Sequence, residues 1–194
     1  MEFIEGDTLD YKRWKTLGEE ACTKICSKLS DQLHLLRSVP SEGYYGRVYN
    51  QGWRHRLCLL RGRANKMCGP YNTYENCVSG MYTASELQES MWHDGKDLTT
   101  EAELALSNFK RTLTTGKGHE PTLTHLDPSL QNIIVRPLQG TEGPESDWEV
   151  TLIDWADLGW LPGWMQAVAF SQQVVMFHGW EEPDEHAKIQ FWKE

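Results

Sequence analysis

A chain of 194 residues can bury one ordinary core and is too short for two large domains. Its 28 acidic residues against 19 basic give a formal charge of −9, which works against broad binding to nucleic acid or anionic membranes. With no run of eighteen apolar residues, no basic and apolar leader, and an odd set of five cysteines, the sequence predicts a soluble cytoplasmic protein with reduced thiols.

Taken in chain order, three Thr-x-x-Glu pairs predict helix starts: Thr16 with Glu19, Thr83 with Glu86 and Thr100 with Glu103. The first of these helices carries Cys22, Ile25, Cys26, Leu29, Leu33 and Leu36 at spacings of three and four, a stripe meant for a core. It should end near Ser38, before Pro40. Cys22 and Cys26 lie four apart, but no CxxC or HxxxH partner completes a zinc set, so they read as small core residues. Gly43 to Val48 reads as a turn, and Tyr44, Tyr45 and Tyr71 are candidates for lining a pocket. Leu104, Leu106 and Leu113 predict a helix around 101 to 113. Gly116-Lys117-Gly118 after it lacks the first Gly and the Ser or Thr of a P-loop and reads as a solvated loop.

Strand signals concentrate at Asn132 to Arg136 and at Trp148 to Ile153, joined by the Gly- and Pro-rich stretch Gly140 to Asp147. These read as a hairpin, followed by an apolar helix from Ala167 to Phe177. Antiparallel pairing brings the segment before Asn132 and the residue after Ile153 to the same end, so Asp127, Asn132 and Asp154 are expected to converge. Trp155, Trp160 and Trp164 read as core beneath that end. His34, His55, His93, His119, His178 and His186 carry no motif and read as surface or satisfied core residues.

The run His125-Leu126-Asp127-Pro128-Ser129-Leu130-Gln131-Asn132, then Ile133-Ile134-Val135, then Ile153-Asp154-Trp155, has the form HxDxxxxN, strand, IDW. Phosphoryl transfer to a hydroxyl needs a carboxylate to orient the acceptor and take its proton, plus oxygen ligands for magnesium on the nucleotide phosphates. Asp127 suits the first task, and Asn132 and Asp154 suit the second because magnesium prefers hard oxygen donors. The spacing from Asp127 to Asn132 also matches the catalytic loop of protein kinases.

With these motifs, and with Met1 to Leu9, Leu36-Arg37-Ser38-Val39-Pro40, Gly43 to Gly46, Gly69-Pro70-Tyr71 and Gly159-Trp160-Leu161-Pro162-Gly163-Trp164, the chain resembles the aminoglycoside phosphotransferase and choline kinase-like family, notably its fungal members. The resemblance runs in order along nearly the whole chain. It implies an α+β fold, the protein-kinase-like C-terminal lobe, mainly helical with a small β-hairpin at the catalytic loop. Residues 1 to 9 would be the inter-lobe linker and 10 to 194 the lobe, as one domain. The resemblance also implies ATP and Mg2+ as cofactors, Asp127 as catalytic base, Asn132 and Asp154 as metal ligands and His125 as a buried organiser of the loop. Adenine would be held by the backbone of Glu2, Phe3 and Ile4. Leu126 stands where Gly is common and Gln166 where Glu is usual, which puts in doubt an ion pair expected in that region.

A kinase of this type also needs a smaller lobe with a Gly-rich loop and a strand-borne Lys on the phosphates. The sequence offers neither, so the expectation is a large lobe without its N-terminal partner and with little activity alone. A missing lobe or another partner would cover the lobe-facing surface. Two readings stay open: an ATP- and magnesium-dependent phosphotransferase acting on a hydroxyl of an unknown small molecule, or a non-catalytic kinase-like binding module. An acceptor pocket for a polycationic sugar should be rich in carboxylates, with which the acidic surplus is compatible.

Overall fold

The computed structural model describes residues 3–53, 68–92, 99–138 and 146–170, and these form an α+β fold in two compact units. The first unit holds residues 1–39, 125–157 and 166–194, and the second 40–124 and 158–165. No described helix is long and apolar enough to cross a membrane.

The first unit is one long helix laid on a small sheet. Strand β1 (Asp7–Thr8) is followed by helices α1 (Tyr11–Thr16) and α2 (Glu19–Arg37). Strands β4 (Ile133–Pro137) and β5 (Trp148–Leu152) form the hairpin read from the sequence, with strand β3 (Pro121–His125) leading into it. The sheet order is β1-β4-β5, antiparallel throughout, with Asp7 opposite Val135 and Ile133 opposite Leu152. Alternation puts Ile133 and Val135 on the same face as Trp148, Val150 and Leu152, and the α2 stripe of Ala21, Ile25, Leu29 and Leu33 packs on that face with Leu9 and Phe170. Val150 C=O and Leu152 N–H would otherwise stand bare on the outer edge of β5. The Gln32 amide meets both, donating to the first and accepting from the second, so one glutamine closes the edge. Arg136 ties the segment before β1 to the hairpin through Glu5 and Glu149 on the exposed surface.

Two expected helix starts are displaced. Thr16 closes α1 instead of opening α2: its hydroxyl donates to Arg13 C=O at 2.7 Å, and Gly18 is the residue that precedes α2. Asp10 caps α1 by accepting from Arg13 N–H at 2.6 Å. Thr83 lies well inside helix α3 (Tyr74–Trp92), whose start is held by Thr73 Oγ1 accepting from Asn76 N–H. Thr-x-x-Glu marks a helix start only where the preceding turn is not already helical, and Tyr74, Cys77, Val78, Met81 and Ala84 extend an apolar face back past it. Helix α4 (Thr100–Thr115) begins where the third pair placed it.

The second unit contains α3, α4 and a three-stranded sheet, β2 (Gly46–Arg47), β6 (Leu158–Pro162) and β3, in the order β2-β6-β3. This sheet is a correction: Gly46–Arg47 is extended and paired with Trp160 and Gly159, not a simple turn. Gly159 is required there, since a Cβ would lie 2.2 Å from the Trp53 ring and 2.6 Å from Gly46 O. Tyr74 donates to Leu113 C=O and stacks on His119 at 3.8 Å, joining α3 to the end of α4. Tyr44 and Tyr45 are buried in this core. Gly116 to Gly118 is an exposed loop, as expected. The helix expected from Ala167 to Phe177 is present over 165–170, and its remainder, with most of the hairpin connection, lies outside the described residues.

Candidate functional site

The site grows from one backbone residue. Ile153 leaves β5 with its N–H donating to Asn132 C=O at 2.8 Å and its C=O accepting from His125 Nε2 at 3.0 Å. Both ends of the 125–132 loop therefore hang on the residue that precedes Asp154. Inside the loop, Asn132 Nδ2 donates to Asp127 C=O at 2.9 Å and Asn132 N–H to Ser129 C=O at 2.9 Å, which folds the loop into a short 3-10 turn over Leu130–Asn132. With its Nδ2 engaged inward, the Asn132 amide keeps Oδ1 for an outside ligand.

The loop leaves its two carboxylates and its amide at least partly open to solvent. Leu126, Pro128 and Ser129 are buried, Asp127 and Asn132 half-buried and Asp154 exposed. Leu126 thus spends its bulk in the interior and does not crowd the solvent side. Asp154 has φ +59°, the left-handed region that Asp and Asn tolerate better than other non-Gly residues. That conformation turns the chain sharply out of β5 into a 3-10 turn over Trp155–Asp157. Trp155 stands edge-on to the His125 ring at 4.9 Å and is 44% exposed, so it covers the loop from outside and is not core.

His125 is 1% exposed. Ile153 C=O can only accept, so Nε2 carries the proton of the neutral ring; Nδ1 is buried with no partner among the described residues. Burial lowers the His125 pKa below the ordinary 6.5, while the bond to Ile153 and the charges of Asp127 and Asp154 pull it partly back. A depressed histidine favours the folded state above its unfolded pKa, and that advantage is lost as pH falls below about 6.5 because the unfolded chain takes the proton first. Thermal unfolding between pH 7.5 and 5.5 should therefore show a steeper acid loss in the wild type than in His125→Gln, and equal slopes would contradict the assignment.

Gln166 clamps the same residue. Its Oε1 accepts from His125 N–H at 3.0 Å and its Nε2 donates to His125 C=O at 2.8 Å, with Gln166 6% exposed. The side-chain amide presents an acceptor to the N–H and a donor to the C=O of one residue. Two neutral bonds hold the loop where the family resemblance leads one to expect an ion pair.

Asp127, Asn132 and Asp154 are therefore gathered around Ile153, whereas Phe3 and Ile4 are not. The register of β1 on β4 runs them past Glu5 toward the opposite end of the hairpin, where Phe3 is 88% exposed; Glu2 lies outside the described residues. Among the described residues no three His, Cys, Asp or Glu side chains form a metal cluster. Asn132 Oδ1 and the Asp154 carboxylate are hard oxygens that suit Mg2+ drawing its other ligands from phosphate and water. The sequence reading missed the Gln166 clamp. Its signal was a lone polar residue in the apolar run Trp164 to Phe170. Neither protein-family models, nor curated proteins, nor solved structures give a match to this chain.

Proposed function

We propose that the first unit is the catalytic and metal-binding part of an ATP- and Mg2+-dependent phosphotransferase that acts on a hydroxyl of a small molecule. The observation that carries this reading is the pair of Ile153 bonds, which gather a carboxylate, an amide oxygen and a second carboxylate at one end of a hairpin. Asp127 orients the acceptor hydroxyl and takes its proton. Asn132 and Asp154 hold the metal, which when bound neutralises charge on the phosphates. Phe3 and Ile4 meet the base through their backbone. Their place toward the other end of β4 from Asn132 suits a nucleotide lying along the hairpin, phosphates at the loop.

Calorimetric titration of ATP tests the reading. The wild type is expected to bind ATP with Mg2+ and far less without it, and Asp154→Asn to weaken the Mg2+-dependent binding by about tenfold or more. Asn accepts the same left-handed backbone, so the variant keeps its fold. Asp127→Asn should bind ATP normally. If the wild type binds no ATP with Mg2+ present, the proposal fails; binding with no transfer to any acceptor leaves the non-catalytic module.

A further inference from the structure

We propose that the second unit carries a separate binding site for a small uncharged molecule rich in hydroxyl or amide groups. It lies in the cavity between the segment 68–72 and one face of α3. The cavity measures about 490 Å³, within the range of small-molecule sites.

Its floor is helical. Asn76, Ser79 and Thr83 follow one another at steps of three and four, so their amide and hydroxyl groups share a face of α3, and Gly80 lies among them. Its wall is Tyr71, with Asn72 beside it. A Cβ at Gly80 would sit 2.2 Å from the Tyr71 hydroxyl, so the missing side chain is what lets the phenol rest against the helix and close that end. The wall is also pinned. Tyr71 and Tyr45 exchange two backbone hydrogen bonds of 2.8 Å, and Cys68 and Trp53 exchange two of 3.3 and 2.7 Å. A cavity held in this way is formed before a ligand arrives.

The chemistry of the lining selects the ligand. None of the described side chains around the cavity carries a formal charge, although the chain has 28 acidic and 19 basic residues to draw on. The cavity is open to solvent, with Asn72, Asn76, Ser79 and Thr83 exposed, so a ligand is held by hydrogen bonds to these groups and a charged one finds no counter-charge among them. Hydroxyls and primary amides each offer both donor and acceptor, the complement of sugar hydroxyls, polyols and small amides. Burial pushes the Tyr71 phenol up to about 12, so at neutral pH it remains an uncharged donor. Among the described residues the cavity presents no carboxylate, which a polycationic sugar would need.

Cys68 borders the cavity and is half-buried, as is Cys22 in the other unit, which makes the two thiols a probe and its reference. The full-length protein is alkylated with iodoacetamide, without nucleotide or metal, and each cysteine is followed by peptide mass mapping. The probes are myo-inositol, glucose and N-acetylglucosamine as neutral compounds, kanamycin as polycation and glucose 6-phosphate as anion. At least one neutral probe should slow Cys68 alkylation several-fold while Cys22 is unaffected, and the charged probes should not. Ser79→Phe, an exposed position that fills the cavity, should abolish the protection with an unchanged melting temperature. Thr83→Val should weaken it about tenfold, the cost of one good hydrogen bond. No protection by any neutral probe, equal protection by the charged ones, or protection that survives Ser79→Phe overturns the proposal. Because neither ATP nor Mg2+ enters the assay, this result is independent of the phosphotransferase reading.

Discussion

Gln166→Glu is expected to cost about 3 kcal/mol of folding stability at pH 8 and to recover most of it as the pH is lowered. At high pH a carboxylate replaces the Nε2 donor that bonds His125 C=O, so a buried carbonyl loses its partner and faces a negative charge, a loss of that order. Protonation restores the donor, since a carboxylic acid again offers one O–H and one C=O. The sign follows from linkage: the introduced Glu has a folded pKa raised above its unfolded value of about 4.3, so the penalty is absent below that value and grows as pH rises through the folded pKa. Gln166→Leu, which can make neither bond, should cost about 3 kcal/mol at every pH, the price of leaving two buried backbone groups unpaired. Denaturant unfolding of both variants against the wild type at pH 8 and at pH 5.5 decides the matter. A Gln166→Glu deficit that does not shrink at the lower pH would mean that the clamp is not what holds the loop.

Trp148→Ala should be the most damaging single truncation of the first unit, at about 4 kcal/mol. Trp148 is among the largest fully buried side chains, packs on the α2 face of the sheet and starts β5 opposite Pro137. Trp148→Phe should cost about 1 kcal/mol or less, although it also removes volume. The indole N–H is buried without a partner among the described residues, so its removal relieves an unpaid desolvation while the ring contacts largely remain. Position 148 lies at the far end of the hairpin from Ile153. Molecules of either variant that remain folded should therefore keep the wild-type dependence of ATP binding on Mg2+, even where affinity changes at the base end. Unfolding curves paired with titrations would show this, and an altered Mg2+ dependence in Trp148→Phe would mean that the packing at one end of the hairpin reaches the loop at the other.

The two kinds of prediction draw on different layers of the molecule. The hairpin, the α2 stripe and the α4 start were legible because their partners lie within a turn or a strand of one another. Periodicities of two and three to four report directly which face is buried. The convergence of Asp127, Asn132 and Asp154 was legible for the same reason: antiparallel pairing is enough to bring the two ends of a hairpin together. The displaced caps show the limit. Thr16 and Thr83 carry the right local pattern, but the hydroxyl of Thr16 already serves α1, and an apolar face extends α3 past Thr83.

By itself the sequence determined a mainly helical α+β chain, a hairpin with three polar residues at one end, and a net acidic charge. Tertiary structure alone decided the β2-β6-β3 sheet, the double hold on Ile153, the Gln166 clamp and the gathering of uncharged polar groups, among the described residues, beside α3. The reason is the nature of the contacts. A backbone N–H or C=O carries no side-chain identity, so Ile153 gives no sign in the sequence that it holds the loop. An amide such as Gln166, whose partner lies 41 residues away, can be matched to it only once the chain has brought them together.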